Sequence, residues 1–348
     1  MDYTSSRASH CRIYQYQHRG LVHLCLENEV LRVTVIPDKG ADISEILYKP
    51  KDINFMWRAP GGGVRDTGKL ISTTQSVLGN NLDYYEGGWH ESFPGGGPYE
   101  KDGMQQGLHG EACLLPWQFR VLEDTEQQIS VLLWCETIRF PAKLGKKITI
   151  KSGIADIYFD EKLSNLSDEK LEYMWGHHPV FGRPFLDESC TITIDAQAFT
   201  TAQGFGSPTT YFDEDYTAKW PNGIGKDGQT VDLSSMPKEG ERNAELVFIT
   251  GLNKGEIEIT NTKLALGFRL KWDKELFESI WYWRVCNGLP GYPWYGRTYN
   301  IGLEFWTGYP GYEGAVGNGT IKILKPHSTV KTHFEANIIN DEAKHKGE

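Results

Sequence analysis

Nearly every periodic segment of this chain alternates apolar and polar residues at a period of two, which is the spacing of strands and not of helices. Leu21–Leu26, Val30–Pro37, Ile129–Thr137, Lys146–Lys151, Asp156–Ser164, Thr191–Asp195 and Thr320–Lys325 are rich in Val, Ile, Thr and aromatic residues, and Gly, Pro, Asn or Asp bound them. Glu256–Thr260 and Lys263–Trp272 form a hairpin through Asn261-Thr262, and a further apolar run covers Leu276–Val285. No stretch predicts a long helix, so the expected class is all-β. At 348 residues the length alone would allow two domains. Without an internal repeat or a Pro/Ser-rich linker, however, one domain over residues 1–340 is expected, followed by a polar tail over 341–348.

Lys and Arg total 36 against 46 Asp and Glu, a formal net charge of −10. Such a surface repels phosphate backbones and anionic lipid, so no nucleic-acid or membrane partner is expected. Apolar runs such as Val131-Leu132-Leu133-Trp134-Cys135 fall far short of the roughly 20 residues needed to cross a bilayer. The first residues carry neither a basic nor an apolar leader pattern, which makes the cytoplasm the expected compartment. The six cysteines lie far apart without a CxxC pair and read as thiols, not as a disulfide scaffold or a zinc knuckle.

Two irregular segments stand out against the strands. Ala59–Gly107 carries Gly61-Gly62-Gly63, Gly87-Gly88 and Gly95-Gly96-Gly97-Pro98 among Trp and Tyr, and Asn287–Tyr299 is similarly rich in Gly, Pro and aromatics. Long irregular segments on a β scaffold usually carry binding groups, so both are expected to rim a pocket. Gln203–Lys238 is a third surface loop, with fewer aromatics.

Three local patterns hold the candidate chemistry. His109 sits in Gly107-Leu108-His109-Gly110-Glu111, where the backbone is permissive and the ring is uncrowded. His177 and His178 are adjacent near the end of a strand at Leu171–Trp175, so on a regular strand they point to opposite faces and only one can reach a given pocket. Glu304 shares its strand face with Gly302 and Trp306, which describes a floor with room above it. Trp57, Trp89, Trp283, Trp294 and Trp306 lie in or beside the Gly-rich segments, where a flat ring can cover the C–H face of a pyranose. Each pattern also has an ordinary structural explanation: a turn histidine, loop histidines, a solvent-facing carboxylate, core tryptophans. No P-loop and no GxGxxG after a strand is present to cradle phosphate.

Taken in order, Gly40-Ala41-Asp42-Ile43-Ser44-Glu45-Ile46, Leu108-His109-Gly110, His178-Pro179-Val180-Phe181, the strand around Glu304, and Leu324-Lys325-Pro326-His327-Ser328 resemble the galactose mutarotase-like, or aldose 1-epimerase, superfamily, in a divergent branch. The resemblance covers nearly the whole chain and implies a β-supersandwich of large twisted antiparallel sheets. It further implies an isomerase that interconverts the α and β anomers of a monosaccharide without metal or cofactor. A monomer or homodimer is expected. His109, His178 and Glu304 would surround the anomeric carbon. Glu304 would be the base toward the C1 hydroxyl and His178 the imidazolium acid toward the ring oxygen, while His109 would hold the sugar. A neighbouring carboxylate would raise the His178 pKa. Pro179 and Phe181 fix the motif on His178, although His177 stands where the superfamily commonly has Asn.

Asn81, Trp89, Glu91, His177, Trp283 and Arg297 are further candidates for sugar contacts, chosen by residue type and position. Arg58, Arg183 or Arg297 could meet an anionic sugar. Two other functions compete. One is a metal-dependent sugar isomerase using His109 and Glu111, His90 and Glu91, or His177 and His178. The other is a carbohydrate-binding or sensor protein without catalysis.

Overall fold

The computed structural model describes residues 3–60 and 79–340. Two antiparallel sheets dominate it. A twelve-stranded sheet runs, edge to edge, through Arg12–His18, Leu21–Glu27, Leu31–Ile36, Asp42–Tyr48, Trp89–Ser92, Gly176–Gly182, Tyr299–Trp306, Ser279–Cys286, Asn243–Thr250, Ala198–Thr201 and Thr217–Lys219, with Ile53–Asn54 paired beside Asp42–Tyr48. An eight-stranded sheet runs through Cys190–Ile194, Glu256–Asn261, Leu266–Trp272, Thr329–Asn340, Asp156–Asn165, Ala142–Lys151, Gln128–Glu136 and Gln118–Asp124. The described helices are short, Gly79–Tyr84 and Tyr312–Asn318. The all-β expectation therefore holds, and all six cysteines are buried free thiols.

Most expected strands match to within a few residues, and the Glu256–Asn261/Leu266–Trp272 hairpin pairs as the alternation requires. Two boundaries differ in a way that matters. His177 and His178 lie inside a strand, Gly176–Gly182, after the preceding strand has ended at Tyr173. The Gly-rich region, expected to be irregular, contributes the central strand Trp89–Ser92. Gly87 and Gly88 take positive φ just before it, and a Cβ on Gly88 would come within 2.5 Å of the Ile43 carbonyl oxygen. Glycine thus lets the loop turn tightly onto its neighbour strand. Residues 61–78 and the expected tail at 341–348 lie outside the described residues.

The sheets meet face to face, and the alternation in three adjacent strands decides what fills the gap. Trp89, His177 and Phe305 point toward the eight-stranded sheet: Trp89 packs on Phe159, His177 on Phe334, and Phe305 stacks on Trp272 at 4.9 Å. His90, His178 and Glu304, each one residue away, point to the opposite face. Phe305 is wholly buried among Trp272, Phe277, Phe334 and His177. Phe305→Ala is expected to lower unfolding free energy by about 3–5 kcal/mol, measured by urea denaturation, because a ring-sized void cannot close between two sheets. A loss below about 1 kcal/mol would contradict this packing.

Candidate active site

The outward face of the central strands floors a cavity of about 800 Å³, which is within the usual range for small-molecule sites. Trp281, Trp283, Trp294, Tyr85, Tyr309 and Tyr312 line its walls, and His109, His178 and Glu304 also line it. The strand Tyr299–Trp306 presents Gly302, Glu304 and Trp306 on this face, as the alternation predicts. A Cβ at Gly302 would lie 3.0 Å from Glu304 Oε1, so the glycine leaves the carboxylate its place. Trp306 donates Nε1–H to Glu304 Oε2 at 2.9 Å and stacks on Trp281 at 4.4 Å.

His178 reaches the same point from the next strand, with Nε2 3.1 Å from Glu304 Oε1 and Nδ1 3.2 Å from the Tyr85 hydroxyl. His109 comes from a loop. Its backbone is left-handed, at φ 62°, and is pinned by its own N–H to the Gly96 carbonyl and by the Phe93 N–H to its carbonyl. Gly110, also at positive φ, allows this approach, since a Cβ there would meet the Phe93 oxygen at 2.2 Å. An unfavourable backbone geometry held by its surroundings is a common mark of a working residue.

A histidine that sequence reading offered only as a metal ligand completes the group. His90 is buried, places Nε2 2.7 Å from His109 Nδ1, and stacks on His178 with ring centres 4.5 Å apart and planes 13° from parallel. The register that pairs His90 with His178 across the two strands makes this stack. Parity within Trp89-His90-Glu91 could have suggested it, once that segment was recognised as a strand. Tyr85, Trp281, Tyr309 and Tyr312 carried no comparable signal.

Burial governs the ionisation of the pair. It pushes the Glu304 carboxyl well above its ordinary value and His178 well below its own, with His109 adding to the latter. The expectation that the carboxylate would raise the His178 pKa is therefore overturned, because desolvation of both charges outweighs their attraction. His109 and His90 are likewise held down by desolvation. Burial thus disfavours the charged form of each partner.

The remaining sequence candidates divide. Asn81 and Trp283 line the cavity. Trp89, Glu91 and His177 do not, because strand parity turns them into the space between the sheets. There Trp175 donates to Glu91 at 2.8 Å, Lys146 lies 3.2 Å from Glu91, and His177 Nε2 is 3.1 Å from Glu161. In that cluster burial raises Glu161 to about 8 and lowers His177 to about 3. Arg297 is exposed over the Tyr295 ring, Arg58 pairs with Glu86 and Arg183 with Glu239. Among the described residues, none lining the cavity is Lys or Arg.

Among the described residues, two groups of three have ligand atoms within 4.8 Å of one another, His90/His109/His178 and Glu91/Glu161/His177. In the first, the His90 and His178 rings are nearly cofacial, so their in-plane lone pairs run side by side. A tetrahedral ion would require one of these rings to turn. In the second, Lys146 already supplies the cation.

The architecture is that of the galactose mutarotase-like proteins. A provisionally assigned aldose 1-epimerase of Klebsiella pneumoniae subsp. pneumoniae MGH 78578 superposes with a TM-score of 0.74 at 16% identity, covering 99% of this chain and 89% of the other. A galactose mutarotase-like protein of Clostridium acetobutylicum gives 0.67 at 13% identity, covering 94% and 98%. A galactose mutarotase related enzyme of Lactobacillus acidophilus gives 0.59 at 16%, covering 97% of each. At these identities the likeness is one of fold. The chain belongs to the family described as a domain of unknown function, DUF4432, which matches residues 18–338. No curated protein matches it.

In carboxyl-resolved carbon NMR, Glu304 is expected to titrate above 4.5, and the ring protons of His178 below 6.5. Ordinary midpoints for both would mean that the pair is open to bulk water.

Proposed function

We propose that this protein is an aldose 1-epimerase-like enzyme that interconverts the α and β anomers of a sugar, with Glu304 and His178 as the acid/base pair. The observation that carries the proposal is the 3.1 Å contact of His178 Nε2 with Glu304 Oε1 on the floor of an aromatic-walled cavity. Anomer exchange needs one group to take the C1 hydroxyl proton while another protonates the ring oxygen, after which C1–C2 rotates and the ring recloses. A buried pair holding one proton supplies both.

In the forward step the Glu304 carboxylate accepts the hydroxyl proton and the His178 imidazolium gives its proton to the ring oxygen. This leaves a neutral carboxylic acid and a neutral imidazole. Burial favours that state, so the low dielectric stabilises the protein's side of the open-chain intermediate. Reclosure returns both protons and regenerates the carboxylate and the imidazolium. Trp281, Trp283 and Trp294 suit the C–H faces of a pyranose, and His109 suits a hydrogen bond to its oxygens. The proposed ligand is a small-molecule sugar. The nearly parallel His90 and His178 rings make a metal-dependent isomerase the weaker reading.

Saturation-transfer NMR on a panel of aldoses tests the proposal. Glu304→Gln is expected to reduce the anomer exchange rate by about 10²- to 10⁴-fold, with His178→Gln in the same range. Wild-type exchange in Glu304→Gln would refute the assignment, while saturable sugar binding without acceleration by the wild type would identify a binding protein. The pH profile follows from the shift directions. A second proton on the pair leaves Glu304 without the carboxylate that accepts the hydroxyl proton, so kcat/KM is expected to stay level through pH 6.5 and to fall only at lower pH, because the His178 pKa lies below that value. An acid limb centred at or above 6.5 would be inconsistent with the buried pair.

A further inference from the structure

We propose that His90 is a positioning residue that fixes the tautomer of His109, so that His109 presents an Nε2–H donor to the cavity. As a contribution to sugar binding this rests on the function proposed above; as a statement about the two rings it does not. His90 is buried on the strand Trp89–Ser92 and does not itself line the cavity, whereas His109 does.

The two rings meet through His90 Nε2 and His109 Nδ1 at 2.7 Å, so one nitrogen donates and the other accepts. The other nitrogen of His90, Nδ1, is buried and has no hydrogen-bond partner among the described residues. A buried N–H without an acceptor is rarer and more costly than a buried lone pair without a donor. Placing the His90 proton on Nε2 avoids the unpaired donor and makes Nε2–H the donor to His109 Nδ1. Neutral His109 must then carry its own proton on Nε2, the nitrogen that bonds to nothing else among the described residues. In the reverse arrangement His109 would donate to His90, leave His90 with a stranded Nδ1–H, and offer the cavity an acceptor.

The neighbours of His90 hold this arrangement. The ring is packed against His178 at 4.5 Å, against His109 at 4.9 Å, and against the edge of Tyr85 at 5.3 Å. Lys39 and Lys146 are the cations that act on it, and with burial, His178 and His109 they keep it neutral. The His109 backbone is fixed at φ 62° by its bonds to Gly96 and Phe93, so its ring cannot retreat from His90 without rebuilding the loop. A donor at His109 complements a ring or hydroxyl oxygen of a sugar. Were it an acceptor, it would compete with Glu304 for hydroxyl protons.

The experiment is a long-range proton–nitrogen correlation spectrum of the uniformly labelled full chain near pH 7.5, without sugar. The wild type is expected to hold His109 with Nε2 protonated and Nδ1 bare. His90→Phe keeps a flat ring against His178 but removes the donor, and is expected to give His109 as a mixture of tautomers. His90→Gln, whose amide can place a donor near the same point, is expected to restore the wild-type pattern. In anomer exchange, KM is expected to rise about tenfold in His90→Phe with a smaller change in kcat, and to recover in His90→Gln.

A wild-type His109 protonated on Nδ1 overturns the proposal, and so does an unchanged tautomer in a folded His90→Phe. A stoichiometric transition metal bound through His90 Nε2 and His109 Nδ1 also overturns it. The wild-type spectrum decides even if His90→Phe fails to fold. Because that spectrum needs no turnover, the expected tautomer in a protein that does not speed anomer exchange would sink the proposed function and leave the positioning role standing.

Discussion

The cross-strand pairing of Trp89–Ser92 with Gly176–Gly182 is the constraint on which the site depends. Its register sets His178 opposite His90 and His177 opposite Glu91. Because successive strand residues face opposite ways, one ladder makes two polar pairs back to back. The His90–His178 stack lies on the cavity side of the sheet, with His178 lining the cavity and His90 buried beside it, and the Glu91/His177 side faces Lys146 and Glu161 between the sheets. A slip of one residue in either strand would send a histidine of the site into the core and a core group into the cavity.

Such a buried ionic cluster is an uncertain source of stability. Desolvating Glu91 and Lys146 costs several kcal/mol per charge, which good geometry only offsets. What it contributes here is selectivity for one register. Each slipped alternative leaves Lys146 or Glu91 buried without its partner, and an uncompensated buried charge is among the most destabilising faults a fold can carry. The hydrophobic layer around it does not discriminate as sharply, since Trp89, Phe159, Phe305 and Phe334 could repack against many apolar neighbours. On this view the cluster behind the cavity and the histidines in front of it are two faces of one device.

How much of this was legible in the sequence follows the same division. Period-two alternation suffices for the fold class and for the face shared by Gly302, Glu304 and Trp306, because both are local properties of a strand. The choice between His177 and His178 was partly legible, since parity allows only one of them into the cavity, but parity alone does not say which. Trp89, Glu91 and His177 were candidates by residue type. Their placement between the sheets depends on which side the second sheet covers, a long-range fact that no local pattern carries. His90 was hidden for a different reason: glycines around Trp89–Ser92 read as a loop, yet they serve to turn the chain into a central strand. The pKa directions were also out of reach, because a Glu and a His in sequence suggest mutual stabilisation, whereas complete burial reverses the sign.

That reversal bears on how the proposed chemistry would work. An exposed ion pair would hold Glu304 as a firm carboxylate and His178 as a firm imidazolium, each well solvated and reluctant to give up its state. Burial shifts the two proton affinities in opposite directions: the carboxyl becomes a better proton acceptor and the imidazolium a stronger acid, which is the direction ring opening requires of each. The cost falls on the resting protein, whose site must hold four titratable groups, His90, His109, His178 and Glu304, in a small desolvated space. Neutral imidazoles packed together, His90 stacked on His178 and His109 tilted against it, are a low-cost way to do so, because aromatic rings pack where charges would repel. The crowding of histidines is thus a consequence of removing water from the carboxylate, since any fixed cation in their place would pull the Glu304 pKa back down.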